Sequence, residues 1–564
     1  MDAAERAGWP LRDAALVVVL GAAVLVPSLF TRDPWNPDEP RYAEIARAMV
    51  ATGNYWVPHL NGEIYPDKPA LFFWLTAGLM RLGLGVGSGR VVAAVAAAAT
   101  LLLVYWLGRR LHDRQVGLWA AAITATTLLF AWMGKCGVLD APLTLCVVGA
   151  ICCGERALAG AGRRPGAWWL GFYAAIGFGV LFKGPVALAV PVLVALAYGV
   201  ARRAEVRKGG WWHLAGVALM LAVVAAWLVP ALLKGGEAYA NEIVVGQTAQ
   251  RFTKHAAHRK PWFFFLVTWP FYFLPWSLLV PLALVSAVKA ARGGRERQAW
   301  LPALWVVVIF VFFSIPSGKR ERYILPIVPA VALLVARYIV RVAEGELPWP
   351  RWHAWLWRVT LVLGVAVAVT LATVALSPER MAARLELSPG EVGPLRALLT
   401  PARVGAAVAT SAALVAAAFY ASWRLRDPTA ERRRALLAVG AALLISLVAD
   451  LAVIPVFDHF KSGRGLIDDG RPFLDAADEI LLYEDDFEGV YNLFAQRLCL
   501  PIARSPEDLA AATAAPRRIA VIAREKHFRQ LPKLPLHVAV RRRVGSKRML
   551  LLTNWEPGYT PPPP

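Results

Sequence analysis

Cysteine is scarce in this chain, with five in 564 residues. Cys136, Cys146, Cys152 and Cys153 lie in or beside apolar runs and Cys499 stands alone near the C-terminus. That pattern gives neither a disulfide framework nor a cysteine metal site, and it leaves packing as their role. Charge is scarce too, at 18% of residues, and Asp450 apart it is nearly absent from the middle of the apolar runs. A transporter should carry ionisable residues through several spans and a matched pair of broken helices. No repeat of fixed period is present, which weighs against an inverted-repeat transporter. No glycine-rich phosphate loop stands in a basic segment, so a nucleotide sugar is not required. There is no compact D-x-D pair in the segments taken below as outer loops. The histidines at 255 and 258 lack paired carboxylates nearby, so no cofactor and no obligatory metal ion are expected.

What the chain has instead is apolar length. It is 58% hydrophobic with a mean hydropathy of +0.49, in the range of membrane proteins. Runs of about 17 to 22 apolar residues recur from Ala14–Phe30 to Ala435–Val456, each long enough to cross a hydrocarbon core about 30 Å thick. The first run is followed by a polar loop rather than a small-residue cleavage site, and is read as a span, not a signal peptide. The net charge of +22 sits in short clusters between runs, where Arg and Lys set topology, so a membrane and not nucleic acid is the expected partner.

Orientation follows from those clusters, at Arg109–Arg114, Arg156–Arg164, Arg202–Lys208, Lys289–Arg297, Arg341–Arg358 and Arg424–Arg434. All six fall inside if Ala70–Gly85, short and carrying Arg81, is an outer juxtamembrane helix and not a span. The reading is an all-α polytopic membrane protein of about 13 transmembrane helices with outer juxtamembrane helices, followed by a small outer α/β domain. Residues 1–456 form the membrane domain, with a first outer loop at 33–68 and the juxtamembrane helix at 70–85. Residues 457–564 form the outer domain, with strand-like runs at Arg518–Ile522, His537–Val540 and Met549–Leu552 and a Pro-rich tail at Pro561–Pro564.

The first outer loop is unlike a connector. Asp38, Glu39, Arg41 and Tyr42 open a short helix, with Pro40 suited to its first turn, and Tyr65, Asp67 and Lys68 precede the juxtamembrane helix. Carboxylates beside cations at a membrane face are what sugar transfer from a phosphate needs: a base for the acceptor proton and cations for the departing phosphate. A solvated loop with incidental charges is the plain alternative. Asp140 stands between apolar runs, where a charge is costly; it reads as functional or as a helix cap. Lys183 is a cation at the outer face, which favours phosphate over topology. Arg251, Lys254, His255, His258, Arg259 and Lys260 are an outer basic stretch that suits either a catalytic part or an interfacial belt. Lys319, Arg320 and Arg322 lie outside against the positive-inside trend and call for a phosphate or an anionic lipid.

These segments resemble the bacterial aminoarabinose transferase and protein O-mannosyltransferase superfamily, membrane glycosyltransferases of the GT-C type. The resemblance is carried by DEPRYAEI (38–45), YPDKP (65–69), LDAPLTL (139–145), LFKGPVALAVP (181–191), HRKPWFFF (258–265) and SGKRERYILPIVP (317–329), in order, over about the first 340 residues. It implies a sugar donor on a polyprenyl phosphate, an acceptor outside the cytoplasm and inversion at the anomeric centre. By that resemblance Asp38 is the base and Asp140 a second carboxylate of the same cavity. Arg41, Tyr42, Tyr65, Asp67, Lys68, Lys183, Arg251, Lys319, Arg320 and Tyr323 would bind donor phosphate or substrate, with Glu39 and His258 as further candidates. One departure is Asp67, where the family pattern has Glu.

The function expected is transfer from an undecaprenyl-type phosphate sugar to a periplasmic acceptor, lipid A or another cell-envelope glycolipid, by a multi-pass protein of the bacterial inner membrane. Transfer to Ser or Thr of a secreted protein keeps the same mechanism. From another class, a lipid or solute transporter or flippase would use the same loop as a vestibule.

Overall fold

The computed structural model describes residues 10–35, 37–160, 165–202, 210–243, 259–347, 430–484 and 489–556, with isolated positions between 355 and 420. The chain is a multi-pass membrane protein. Among the described residues six helices are long and apolar enough to cross a bilayer: Gly85–Leu111, Asp140–Ala159, Trp211–Glu237, Arg297–Ser314, Glu321–Ala343 and Glu431–Leu451. Apolar helices Leu11–Leu25, Pro165–Lys183 and Val186–Arg202 accompany them. Most of 351–429, which holds further runs of the expected set, lies outside the described residues, as does the Pro-rich tail.

The elements that frame the site are labelled α1 (Leu11–Leu25), α2 (Asp38–Thr52), α3 (Leu71–Arg81), α4 (Ser88–Leu111), α5 (Asp140–Ala159), α6 (Pro165–Lys183), α7 (Val328–Ala343), α8 (Glu431–Val448) and α9 (Val490–Ala495). With its preceding turn, α7 is buried along nearly its whole length, as its sequence demands: Arg337 apart, VPAVALLVARYIV is apolar all round, which suits the centre of a bundle. Its buried Arg337 is held by Glu296 at 2.7 and 2.9 Å. At 11 residues α3 is about 16 Å long, too short to span.

The basic loops gather at one end of the bundle. Arg110 pairs with Glu155 at 2.7 Å, joining the last turns of α4 and α5; His112 pairs with Glu296 at 3.4 Å; and Arg432 pairs with Glu344 at 3.0 Å, joining the start of α8 to the end of α7. Asp140 opens α5 while Glu155 is in its last turns, so the residues around Asp140 lie about 22 Å away at the other end.

The last span continues through a π-helical turn at Ala449–Val453 into Ile454–Lys461, so the boundary expected at 456/457 falls inside a helix. Beyond it is a five-stranded sheet in the order β4-β3-β5-β7-β6, with β3 (Glu479–Tyr483), β4 (Ile502–Ala503) and β5 (Ile519–Arg524) parallel and β6 (His537–Val544) and β7 (Lys547–Thr553) antiparallel. Three of these match the strand-like runs; β3 and the two-residue β4 have no counterpart among them. A hairpin of β1 (His59–Leu60) and β2 (Glu63–Ile64) completes the first loop.

Candidate active site

The site starts from the first turn of α2. Asp38 and Glu39 occupy the helix end where backbone N–H groups favour negative charge, and Pro40 has no N–H to waste there. Asp38 and Tyr42, four residues apart, share one face; Tyr42 is buried edge-on against Phe72 and Phe73 of α3, at ring distances of 6.0 and 5.7 Å.

Asp38 faces the segment that leads into α7. Its Oδ2 accepts from Arg322 Nη2 at 2.5 Å and from Arg320 Nη1 at 3.1 Å. Arg322 also lies 3.7 Å from Asp140 Oδ2, and the other oxygen of Asp140 is held by Lys183 at the end of α6. The Lys183 ammonium sits 4.9 Å from the Tyr323 ring centroid. Two carboxylates and three cations, drawn from four separate segments, therefore form one partly buried cluster at the end opposite the basic loops. Burial alone would raise the Asp38 pKa, but Arg322, Arg320 and Arg41 outweigh it and hold the carboxyl below its ordinary range. The Tyr42 and Tyr65 phenols are pushed up, first by burial and then by Asp38 and Asp67 respectively.

Glu39 belongs to a different network. Its carboxylate accepts from Arg32 at 2.8 Å, Arg90 at 3.2 Å, the Gly137 N–H at 2.7 Å and the Trp35 N–H at 2.9 Å. Burial raises its pKa, yet Arg32, Arg90 and the two N–H groups together leave it lowered. Glu39 thus ties the loop before Asp140 to the helix that carries Asp38. In the same loop, Lys135 donates to Asp450 Oδ2 at 2.5 Å, both side chains buried.

The other expected residues divide. Arg41 lies beside the Tyr65 phenol and offsets part of its upward shift, and Lys68 donates to the Asp67 carbonyl at 2.9 Å. Lys319 is turned elsewhere: its ammonium lies on the Pro316 and Lys260 carbonyls, beside a backbone pairing in which Lys260 N–H donates to Ser317 O at 2.9 Å. Arg251 and His258, with Lys254 and His255, lie outside the described residues. Arg322 was legible only as one of an outer basic trio, and its place on both carboxylates was missed; the trio sits in a loop running into a 3-10 turn at Glu321–Ile327, so periodicity gives no guide to which cation turns inward. Arg32, Arg90 and Lys135 were missed as well, although an Arg at the head of the apolar run after Gly89 was a visible signal.

Residues 67–229 match the family model of dolichyl-phosphate-mannose-protein mannosyltransferase. The undecaprenyl phosphate-alpha-4-amino-4-deoxy-L-arabinose arabinosyl transferase 2 of Sodalis glossinidius is 35% identical over 57% of this chain and 58% of its own length. The corresponding transferase of Edwardsiella ictaluri is 34% identical over 60% of each chain. The matched region thus spans about three-fifths of the length of these relatives. The crystal structure of ArnT from Cupriavidus metallidurans bound to undecaprenyl phosphate superposes over 97% of this chain and 98% of that one, with a TM-score of 0.71 at 21% identity. Its apo form gives 0.73 at 20% identity, over 98% and 99% of the two chains. That likeness shows the fold, from the membrane helices through the C-terminal sheet.

Proposed function

We propose that the chain is a membrane glycosyltransferase of the GT-C superfamily, akin to the aminoarabinose transferases and the protein mannosyltransferases, and that it transfers a sugar from a polyprenyl-phosphate donor to a cell-envelope acceptor. The observation that carries this reading is the Asp38–Arg320–Arg322–Asp140–Lys183 cluster at one end of a membrane bundle. The basic loops at the other end support a cytoplasmic placement for that end, which puts the cluster at the periplasmic face of a bacterial inner membrane.

In this reading the acceptor hydroxyl attacks the anomeric carbon, the bond from that carbon to the phosphate oxygen breaks, and inversion follows from the single displacement. Asp38 takes the hydroxyl proton. The polyprenyl phosphate leaves with the bonding pair and Arg320, Arg322 and Lys183 neutralise it, while Arg41 binds the donor phosphate alike before and after the bond breaks. A carboxylate gripped by two guanidiniums is a weak base. An arriving phosphate competes for the same cations, draws them off Asp38 and returns its basicity when the donor is in place. Asp140 keeps Lys183 and Arg322 oriented toward that position. Lipid A or another envelope glycolipid is the acceptor that the resemblance of the sequence motifs implies; the protein mannosyltransferase model keeps a Ser/Thr acceptor as the second arm of the test.

The experiment is incubation of the purified protein in liposomes with radiolabelled polyprenyl-phosphate sugars and either an envelope-lipid extract or a Ser/Thr-rich secreted polypeptide, beside Asp38→Asn. Label should reach the lipid with the wild type and not with the variant. Equal transfer by Asp38→Asn sinks the base assignment, and saturable donor binding without transfer to either acceptor sinks the enzyme in favour of a transporter.

A further inference from the structure

The mechanism above gives the C-terminal domain no task, yet its contacts converge on one residue of the site. Asn61 and Gly62 form the turn of the β1–β2 hairpin, at φ of 55° and 83°, as a two-residue turn between paired strands requires. The Asn61 side chain reaches away from its own turn. Its amide donates to Leu500 O at 3.0 Å, and its oxygen accepts from the Leu500 N–H and from Asn492 Nδ2, each at 2.7 Å. Asn492 is fully buried and also accepts from the Gly489 N–H at 2.9 Å. A buried amide engaged on both its donor and acceptor sides is costly to leave unpaired, so the bridge fixes one register between hairpin and domain.

Two routes lead from that bridge to Arg41. Along the hairpin, the Tyr65 N–H closes on Pro58 O at 2.8 Å, which seats the buried Tyr65 phenol beside the Arg41 guanidinium. Through the domain, Gly489 at φ 84° starts α9 so close to α2 that a Cβ there would lie 3.2 Å from Arg41 Cα and 2.5 Å from Leu60 Cδ1; glycine alone permits the approach. One route sets the side chain and the other the backbone of the same residue. Ala43, two positions on, is part of the domain's apolar core.

We infer that the C-terminal domain is a positioning part of the donor site, in which the Asn61–Asn492 bridge holds Arg41 where the donor phosphate arrives. The inference rests on the assignment of Arg41 to donor phosphate made above. Asn61 and Asn492 are positioning residues and touch no substrate.

The test uses the full-length protein. Asn61→Gly keeps the positive-φ backbone and removes all three contacts, while Asn61→Asp keeps the two acceptor contacts. Hydrogen exchange of peptides covering residues 38–45 should quicken in Asn61→Gly and leave α7 unchanged. In transfer assays the donor KM should rise roughly five- to tenfold, the scale of one lost hydrogen bond, with kcat within about twofold and acceptor KM unmoved, and Asn61→Asp should fall between. Combined with Arg41→Ala, Asn61→Gly should add no further rise in donor KM, because both act through one group. Unchanged exchange at 38–45, a loss of kcat at constant donor KM, or additive effects with Arg41→Ala would each overturn the inference. A wild type that transfers from no polyprenyl phosphate defeats the functional reading alone, and the exchange result still decides the bridge.

Discussion

Asp38 and Glu39 are neighbours in one helical turn, about 100° apart around α2, and that rotation gives them different partners. Asp38 meets two arginines in a partly open cluster, whereas Glu39 is closed in by two others and two backbone N–H groups. The sequence presents the acidic pair as candidates without separating them, since their identities are alike and only the surrounding fold distinguishes them. The separation has a pH signature. With its pKa held below the ordinary carboxylate range, Asp38 is charged throughout the neutral range, and the free-enzyme kcat/KM should have its acid limb below about pH 4. Arg320→Ala removes one of the cations that lower it, so the limb should move to higher pH. Measured kcat/KM from pH 3.5 to 8 checks this. A limb that stays put in Arg320→Ala would mean that the base is another group.

At the scale of elements, the loop between the end of the Leu128–Met133 helix and α5 decides where Asp140 stands. Glu39 grips it at Gly137, and Lys135 pins it to the last span through Asp450. The sequence singles out Asp450 as a charge alone in an apolar run, but its partner is 315 residues away, beyond the reach of any local pattern. A buried ion pair with one partner removed leaves an uncompensated charge, whereas removing both leaves an apolar contact. Lys135→Met alone, or Asp450→Leu alone, should therefore destabilise by roughly 3–5 kcal/mol, and the double variant should recover most of that loss. Thermal unfolding of the detergent-solubilised protein reads it. Additive losses in the double variant would show that the two side chains contribute separately, and that the loop is held by Glu39 alone.

At the scale of the molecule, apolar run length made the class legible, and the short, Arg-bearing stretch before Gly85 is an 11-residue helix rather than a span. Asp38, Asp140, Lys183 and Arg320 were read from four loops and meet in one cluster. What the sequence withheld was mainly docking: which cation of Lys319, Arg320 and Arg322 turns inward, and that the C-terminal domain seats on the first loop through Asn61. Both depend on contacts between segments hundreds of residues apart. The direction in which the molecule sits in the bilayer is open to a direct test, because its few cysteines are unequally placed. Cys499 is exposed on the C-terminal domain; Cys136, Cys146 and Cys152 are buried, and Cys153 lies within α5. If the basic loops face the cytoplasm, a membrane-impermeant maleimide added to intact spheroplasts should label the wild-type chain, and Cys499→Ser should abolish that labelling. Burial pushes the Cys136 thiol up to about 11, so even a reagent that enters finds it protonated and slow to react. Labelling of Cys499 only after the cells are broken would invert the molecule, place the Asp38 cluster at the cytoplasmic face, and remove a periplasmic acceptor from its reach.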